Sequence, residues 1–315
     1  MITQRRLLVV GNGMVGHRFL ELLVQSGQHF NWDVTVLGEE PRAAYDRVHL
    51  SEYFGGRSAE QLSLLPSPSF YRDHGLRLVT GVKGTAIDRD ARTVTGSDGA
   101  AYGYDALVLA TGSAPFVPPV PGREAQGCFV YRTIDDLDGM QAWSQRAKVG
   151  VVIGGGLLGL EAANALKLMG LETHVVEFAP RLMGVQVDDG GGAILRRKIE
   201  ALGVRVHTGK NTKEIVAADG RVAKMAFADG GELATDMIVF SAGIRPRDEL
   251  AKGCGLAVGA RGGIAVDRHC RTADERIFAI GECAAFDGRC YGLVAPGYHM
   301  AQVALDALAG ADAPA

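Results

Sequence analysis

Two glycine triplets of identical spacing hold the chemistry this sequence can perform. Gly11, Gly13 and Gly16 form a G-x-G-x-x-G directly after the apolar run Leu7-Leu8-Val9-Val10. Gly154, Gly156 and Gly159 repeat the pattern after Val151-Val152-Ile153. Such a turn suits a dinucleotide: the first glycine permits a sharp exit from a strand, the second lets backbone approach a pyrophosphate closely, and the third lets the following helix pack tightly. The helix start, beside Met14 in the first copy and Leu157-Leu158 in the second, offers unpaired N–H groups and a partial positive charge to phosphates. Each copy also has an acid downstream. Glu39, with Glu40 as the alternative, follows Val34-Thr35-Val36-Leu37-Gly38, and Glu177 follows Val175-Val176. A carboxylate so placed accepts hydrogen bonds from ribose hydroxyls.

These residues need elements to position them, and the hydrophobic pattern supplies them. Val15, Phe19, Leu22 and Leu23 recur at helical spacing after the first triplet, as Ala162, Ala163, Leu166 and Leu168 do after the second. The order is strand, tight turn, helix, strand, acid, twice. The echo extends further: Tyr104-Asp105-Ala106-Leu107-Val108-Leu109-Ala110-Thr111-Gly112 matches Thr235-Asp236-Met237-Ile238-Val239-Phe240-Ser241-Ala242-Gly243. Ala110, Thr111, Gly112 and Gly243 therefore join the candidate contacts. The economical reading is an α/β chain with two Rossmann-like dinucleotide-binding domains. The second (117–246) is inserted into the first (1–116 and 247–315), with the proline-rich stretch Val117-Pro118-Pro119-Val120-Pro121-Gly122 as the crossing.

Between these motifs the reading is coarser. Pro41 breaks regular structure, and a short helix is expected after Arg47. That arginine is a candidate for a phosphate or adenine-face contact, or else a solvated surface residue. Residues 55–69 read as a loop. Leu76–Thr80 and Arg92–Thr95 read as strands, with a hairpin turn at Asp98-Gly99. Gly190-Gly191-Gly192 reads as a flexible turn ahead of an amphipathic helix from Ile194 to Leu202. Asp219-Gly220 and Asp229-Gly230 mark a small antiparallel insertion. Near the end, the strand Arg276–Ile280 runs into Gly281-Glu282. An alanine-rich helix spans Met300 to Leu308 with Pro296 near its start, and Ala309 onward reads as a frayed end.

Composition narrows the function classes. The net charge of −3 gives no sign of a nucleic-acid or membrane partner. No apolar stretch approaches the length of a membrane span, and the first strand leaves no room for a signal peptide, so a cytoplasmic protein is expected. The five cysteines show no ligand spacing, so no metal centre and no disulfide framework is expected. The pattern specifies no oligomeric state.

The assembled motifs resemble the two-dinucleotide-binding flavoproteins of the pyridine nucleotide-disulfide oxidoreductase superfamily. Within it they look like the N-terminal part of the NAD(P)H-dependent nitrite reductase large subunits. Tyr45-Asp46-Arg47-Val48-His49-Leu50-Ser51, Ala279-Ile280-Gly281-Glu282-Cys283-Ala284 and Gly292-Leu293-Val294-Ala295-Pro296-Gly297-Tyr298 carry that likeness. The resemblance implies FAD on the first fold and NADH on the second, NADPH being less favoured. Glu282 would hold the flavin's ribityl chain, a plain turn being the alternative. The helix beginning near Ala295-Pro296 would face the flavin, and Glu161 would orient the nicotinamide. It implies an NAD(P)H dehydrogenase module passing electrons to an acceptor such as iron–sulfur or sirohaem domains. Segments bearing those ligands, and most of the interface domain that usually closes such flavoproteins, are absent from this sequence. Ferredoxin or rubredoxin reductases and NADH oxidases are the neighbouring readings. Glu52, where the ferredoxin reductases usually carry lysine, weakens the first of these. A thiol-based reductase would need a cysteine between Glu39 and Phe70, where none stands. An NADH sensor without turnover is the reading from another class. NADH preference rests on Glu177, which would repel a 2′-phosphate. Arg181, on the Ala179-Pro180 turn, either swings toward such a phosphate or points to solvent.

Overall fold

The computed structural model describes residues 4–310, and the chain forms two compact units. The first comprises Met1–Asp46, Ser63–Ala114 and Arg245–Ala315; the second comprises Arg47–Leu62 and Pro115–Ile244.

The first unit is built on five parallel strands in the order Ile277–Ala279, Ala106–Leu109, Arg5–Val10, Trp32–Gly38, Arg77–Thr80. Apolar runs such as Leu7–Val10 suit this place because both faces of the sheet are covered. Side chains alternate between the two faces. Leu7 and Val9 pack with Phe19, Leu20 and Leu23 of the helix Met14–Gln25 and with Ala301 and Ala304 of the closing helix Val294–Leu308. Leu8 and Val10 pack on the other side with Val94, Tyr102 and Tyr104, on or beside a three-stranded antiparallel sheet (Gly84–Asp88, Thr93–Gly96, Ala101–Gly103).

The second unit repeats the plan. Its parallel sheet runs Arg205–His207, Glu172–Val176, Val149–Ile153, Met237–Phe240, Cys128–Val130. One face packs Val151, Ile153 and Ile238 against Ile215, Met225 and Phe227 of the antiparallel strands Thr212–Ala218 and Arg221–Phe227. The helix Leu157–Leu168 follows the glycine turn as in the first unit.

Three local expectations change. Gly190-Gly191-Gly192 is not a turn but the first turn of the helix Asp189–Ala201. The Asp188 carboxylate accepts the Gly191 N–H at 2.8 Å, and this cap overrides the low helix propensity of glycine. Gly192 also leaves room for the stem of Arg181, which a Cβ would meet at 3.0 Å. The closing helix starts at Val294, six residues before Met300, with Pro296 in its first turn, where a missing N–H costs nothing. Segment Arg47–Leu62, expected with residues 1–116, packs in the second unit. Its regular part is a 3₁₀ turn, Leu50–Gly55. It is held there because Tyr53 Oη donates to Asp138 and Phe54 stacks on Tyr131, centroids 6.5 Å apart. Just past the expected loop at 55–69, which holds, a short helix, Phe70–Asp73, follows. Of the expected frayed end, residues 311–315 lie outside the described residues.

Candidate dinucleotide sites

In the first unit the strand Arg5–Val10 ends at Gly11, whose φ of +112° is a conformation side chains rarely adopt. A Cβ there would collide with the carbonyl of Ala110. The Ala110-Thr111-Gly112 turn therefore lies directly against the glycine turn, held by Ala110 N–H donating to Val10 C=O at 2.8 Å. Gly16 abuts the Gly11 carbonyl, while Gly13, at the helix N-cap, faces open space with nothing within 4 Å of an added Cβ. Tight contact at the first and third glycines and free space at the second is the cradle a diphosphate requires.

The second unit has the same build. Gly154 has φ of +120°, and a Cβ on it would strike the Ser241 carbonyl. Gly159 abuts the Gly154 carbonyl, and Gly156 faces open space. Leu157 and Leu158, first on the helix, are 54% and 39% exposed, apolar surface beside the open glycine. Gly243, with φ of +112°, also faces open space.

The acids behave differently from one another. Glu177 folds back on the glycine turn, accepting Gly155 N–H at 2.5 Å and Ala179 N–H at 2.7 Å. Those bonds fix the carboxylate at the strand end and leave further lone pairs for hydroxyl donors. Arg181 neither points to solvent nor stands ready for a phosphate. Its guanidinium donates to Val187 C=O at 3.0 Å, Gly184 C=O at 3.3 Å and Asp189 at 2.7 Å. Glu39 is bound by Arg247 and lies 3.9 Å from Lys83 Nζ. Glu40 accepts from Tyr45 Oη at 2.7 Å.

Among the described residues, the first unit gathers a second set of groups. Gly281 and Gly297 both lie against Val15 at the start of the glycine-turn helix, which brings Glu282 and the first turn of the closing helix, with Met14, Ala295 and Pro296, to one end of the sheet. Glu282 accepts from Ser113 Oγ at 2.8 Å.

Glu161 lies one turn into the helix Leu157–Leu168. Burial pushes its pKa above the usual carboxyl range, with a smaller opposing pull from His49. Tyr131, 5% exposed, has its pKa raised by burial and then by the Glu161 charge. Arg47 is half-buried and donates to Arg132 C=O at 3.4 Å within the second unit.

Two contributors carry no local signature. Asn12, between the first two glycines, accepts from Tyr71 Oη at 2.8 Å, and its Nδ2 is buried without a partner among the described residues. Tyr71 also lies 3.3 Å from His17 Nδ1, and burial raises its pKa to about 12. Arg247 is the second. It is 208 residues from the acid it binds, and only the fold brings them together.

Two Rossmann-type units, each with a dinucleotide cradle and a strand-end carboxylate, define a dinucleotide-dependent redox protein. The family model described as pyridine nucleotide-disulphide oxidoreductase matches residues 5–307, and the chain belongs to that family, whose members depend on FAD and NAD(P)H. It is 55% identical over 308 residues to the nitrite reductase (NADH) large subunit of Escherichia coli (strain K12), covering 98% of this chain and 36% of that protein. It is 34% identical to the assimilatory nitrate reductase electron transfer subunit of Bacillus subtilis (strain 168), covering 98% and 39%. The chain thus spans little more than a third of these relatives. A ferredoxin reductase structure from Rhodopseudomonas palustris superposes with a TM-score of 0.90 at 30% identity, covering 99% of this chain and 78% of that one. Among the described residues, no helix is long and apolar enough to cross a membrane.

Proposed function

We propose that this chain is the electron-input module of a nitrite reductase of the NADH-dependent kind, binding FAD on the first unit and NADH on the second. The observation that carries the reading is the doubled cradle, tight at Gly11 and Gly154 and open at Gly13 and Gly156. The assignment of the two ligands follows from what is not doubled. Only the first unit adds Glu282, Ser113 and the N-terminus of the closing helix to its cradle, groups suited to a flavin's polyol and ring. The bound flavin would supply hydride acceptance from the nicotinamide and onward electron release.

The protein's part is binding and orientation. Gly13 and the N–H groups of the helix Met14–Gln25 would hold the FAD diphosphate, and Glu39 its adenosine ribose. Ala110, Thr111 and Gly112 wall the turn. The closing helix, with Ala295 and Pro296 in its first turn, sets a partial positive charge where negative charge on the flavin is favoured. Gly156, Leu157, Leu158 and Gly243 would frame NADH, Glu177 its adenosine ribose, and half-buried Glu161 its carboxamide. The acceptor would be iron–sulfur or sirohaem groups carried by sequence beyond the matched third of the relatives, or by a partner protein. The setting would be cytoplasmic nitrate assimilation.

Steady-state turnover of NADH with ferricyanide tests this reading. Rapid FAD-dependent turnover is expected. Flavin reduction that stops after one equivalent would instead support an NADH-sensing protein.

A further inference from the structure

The strongest unassigned arrangement in the first unit surrounds Arg247. Its guanidinium meets Glu39 through both terminal nitrogens, Nη1 to Oε2 and, at 3.5 Å, Nη2 to Oε1. Its backbone is tied independently to the turn that walls the glycine cradle. Arg247 N–H donates to Gly112 C=O at 2.9 Å, and Thr111 Oγ1 donates to Arg247 C=O at 2.7 Å. Backbone bonds thus fix where the arginine stands, and the side chain fixes the acid. A two-pronged contact of this type holds a carboxylate in one orientation. Lys83, 3.9 Å from Oε1, is a single point charge that cannot impose that geometry.

We propose that Arg247 is a positioning residue for the first-unit nucleotide, aligning Glu39 to receive the adenosine ribose hydroxyls of FAD. It rests on the assignment of FAD to the first unit. It adds a residue that completes that site only after the chain has returned from the second unit. The pair is partly exposed, with side chains 35% and 40% accessible, so its contribution to fold stability is small. Loss of Arg247 therefore acts on ligand affinity and leaves the melting temperature nearly unchanged.

The test measures FAD and FMN dissociation constants of the flavin-free chain, in the native protein, Arg247→Met, Arg247→Lys, Glu39→Gln and the double variant. Arg247→Met keeps the stem and both backbone bonds. It should weaken FAD about tenfold, in line with loss of a charge-assisted contact. FMN, which lacks the adenosine, should bind native and variant alike. In the Glu39→Gln background the same change should have little further effect, because the two act as one unit. Arg247→Lys should fall between native and Arg247→Met. Additive losses of Arg247→Met and Glu39→Gln, an equal loss for FMN, or unchanged FAD binding in Arg247→Met would each overturn the proposal. A native chain that takes up no FAD would instead overturn the ligand assignment itself. If Arg247→Met does not fold, Arg247→Lys carries the same comparison, and an FAD affinity equal to native with an unchanged melting temperature counts against the proposal.

Discussion

Glu177 shows how one side chain acts at two levels. Its carboxylate caps the glycine turn through Gly155 and Ala179, so it is held in place without any ligand. A negative charge held at the proposed ribose position would disfavour a 2′-phosphate, and Arg181 offers no relief because three contacts commit it elsewhere. NADH should therefore exceed NADPH in kcat/KM, and Glu177→Ala should shrink that ratio by about tenfold or more, as the repulsive element is removed. An unchanged ratio, or native preference for NADPH, would refute this. Glu161 makes a different prediction. Burial raises its pKa, so the folded state binds this proton more tightly than the unfolded state. Stability is then lost as pH rises from the ordinary carboxyl value through the raised one. Melting curves of native protein and Glu161→Gln should diverge over that window, the native protein falling behind as pH rises. Parallel curves would show that the carboxyl is not desolvated.

At the scale of elements, the glycine turns were legible because their requirement is local. A left-handed first glycine, an open second and a close-packed third are properties of six consecutive residues. The strands were legible because parallel strands covered on both faces read as unbroken apolar runs, such as Leu7–Val10. The helix Asp189–Ala201 was not, since three glycines argue against a helix and its start depends on the Asp188 cap. Asp188→Ala should cost about 1 kcal/mol in urea unfolding, while the first unit's flavin affinity stays as it was. A loss within error of zero would mean that the Asp188 cap does not hold the start of this helix. Nor could spacing place Leu50–Gly55 with the second unit. That depends on Tyr53 reaching Asp138 and Phe54 reaching Tyr131, contacts across some eighty residues. Arg247 was missed for the same reason.

At the scale of the whole molecule, one plan is used twice and then specialised. Both units carry the cradle; the first adds Glu282, the closing helix and Arg247. No thiol is needed for this plan, and the cysteines agree. Burial raises the pKa of Cys128 to about 11 and of Cys270 to about 12. Cys283 is fully buried, and Cys290 is exposed. Alkylation of the folded chain should label Cys290 first and leave flavin reduction intact; loss of reduction with folding preserved would reveal a thiol role. The central claim is that the first unit holds FAD and the second delivers NADH to it. Anaerobic addition of NADH to the FAD-loaded chain, followed by the flavin's visible absorbance, tests it most directly. The account predicts rapid bleaching at one NADH per flavin in the native protein. In Gly156→Val, FAD should still be bound while bleaching needs far more NADH. A native flavin that stays oxidised under excess NADH, or a Gly156→Val chain that loses its FAD, would contradict the account.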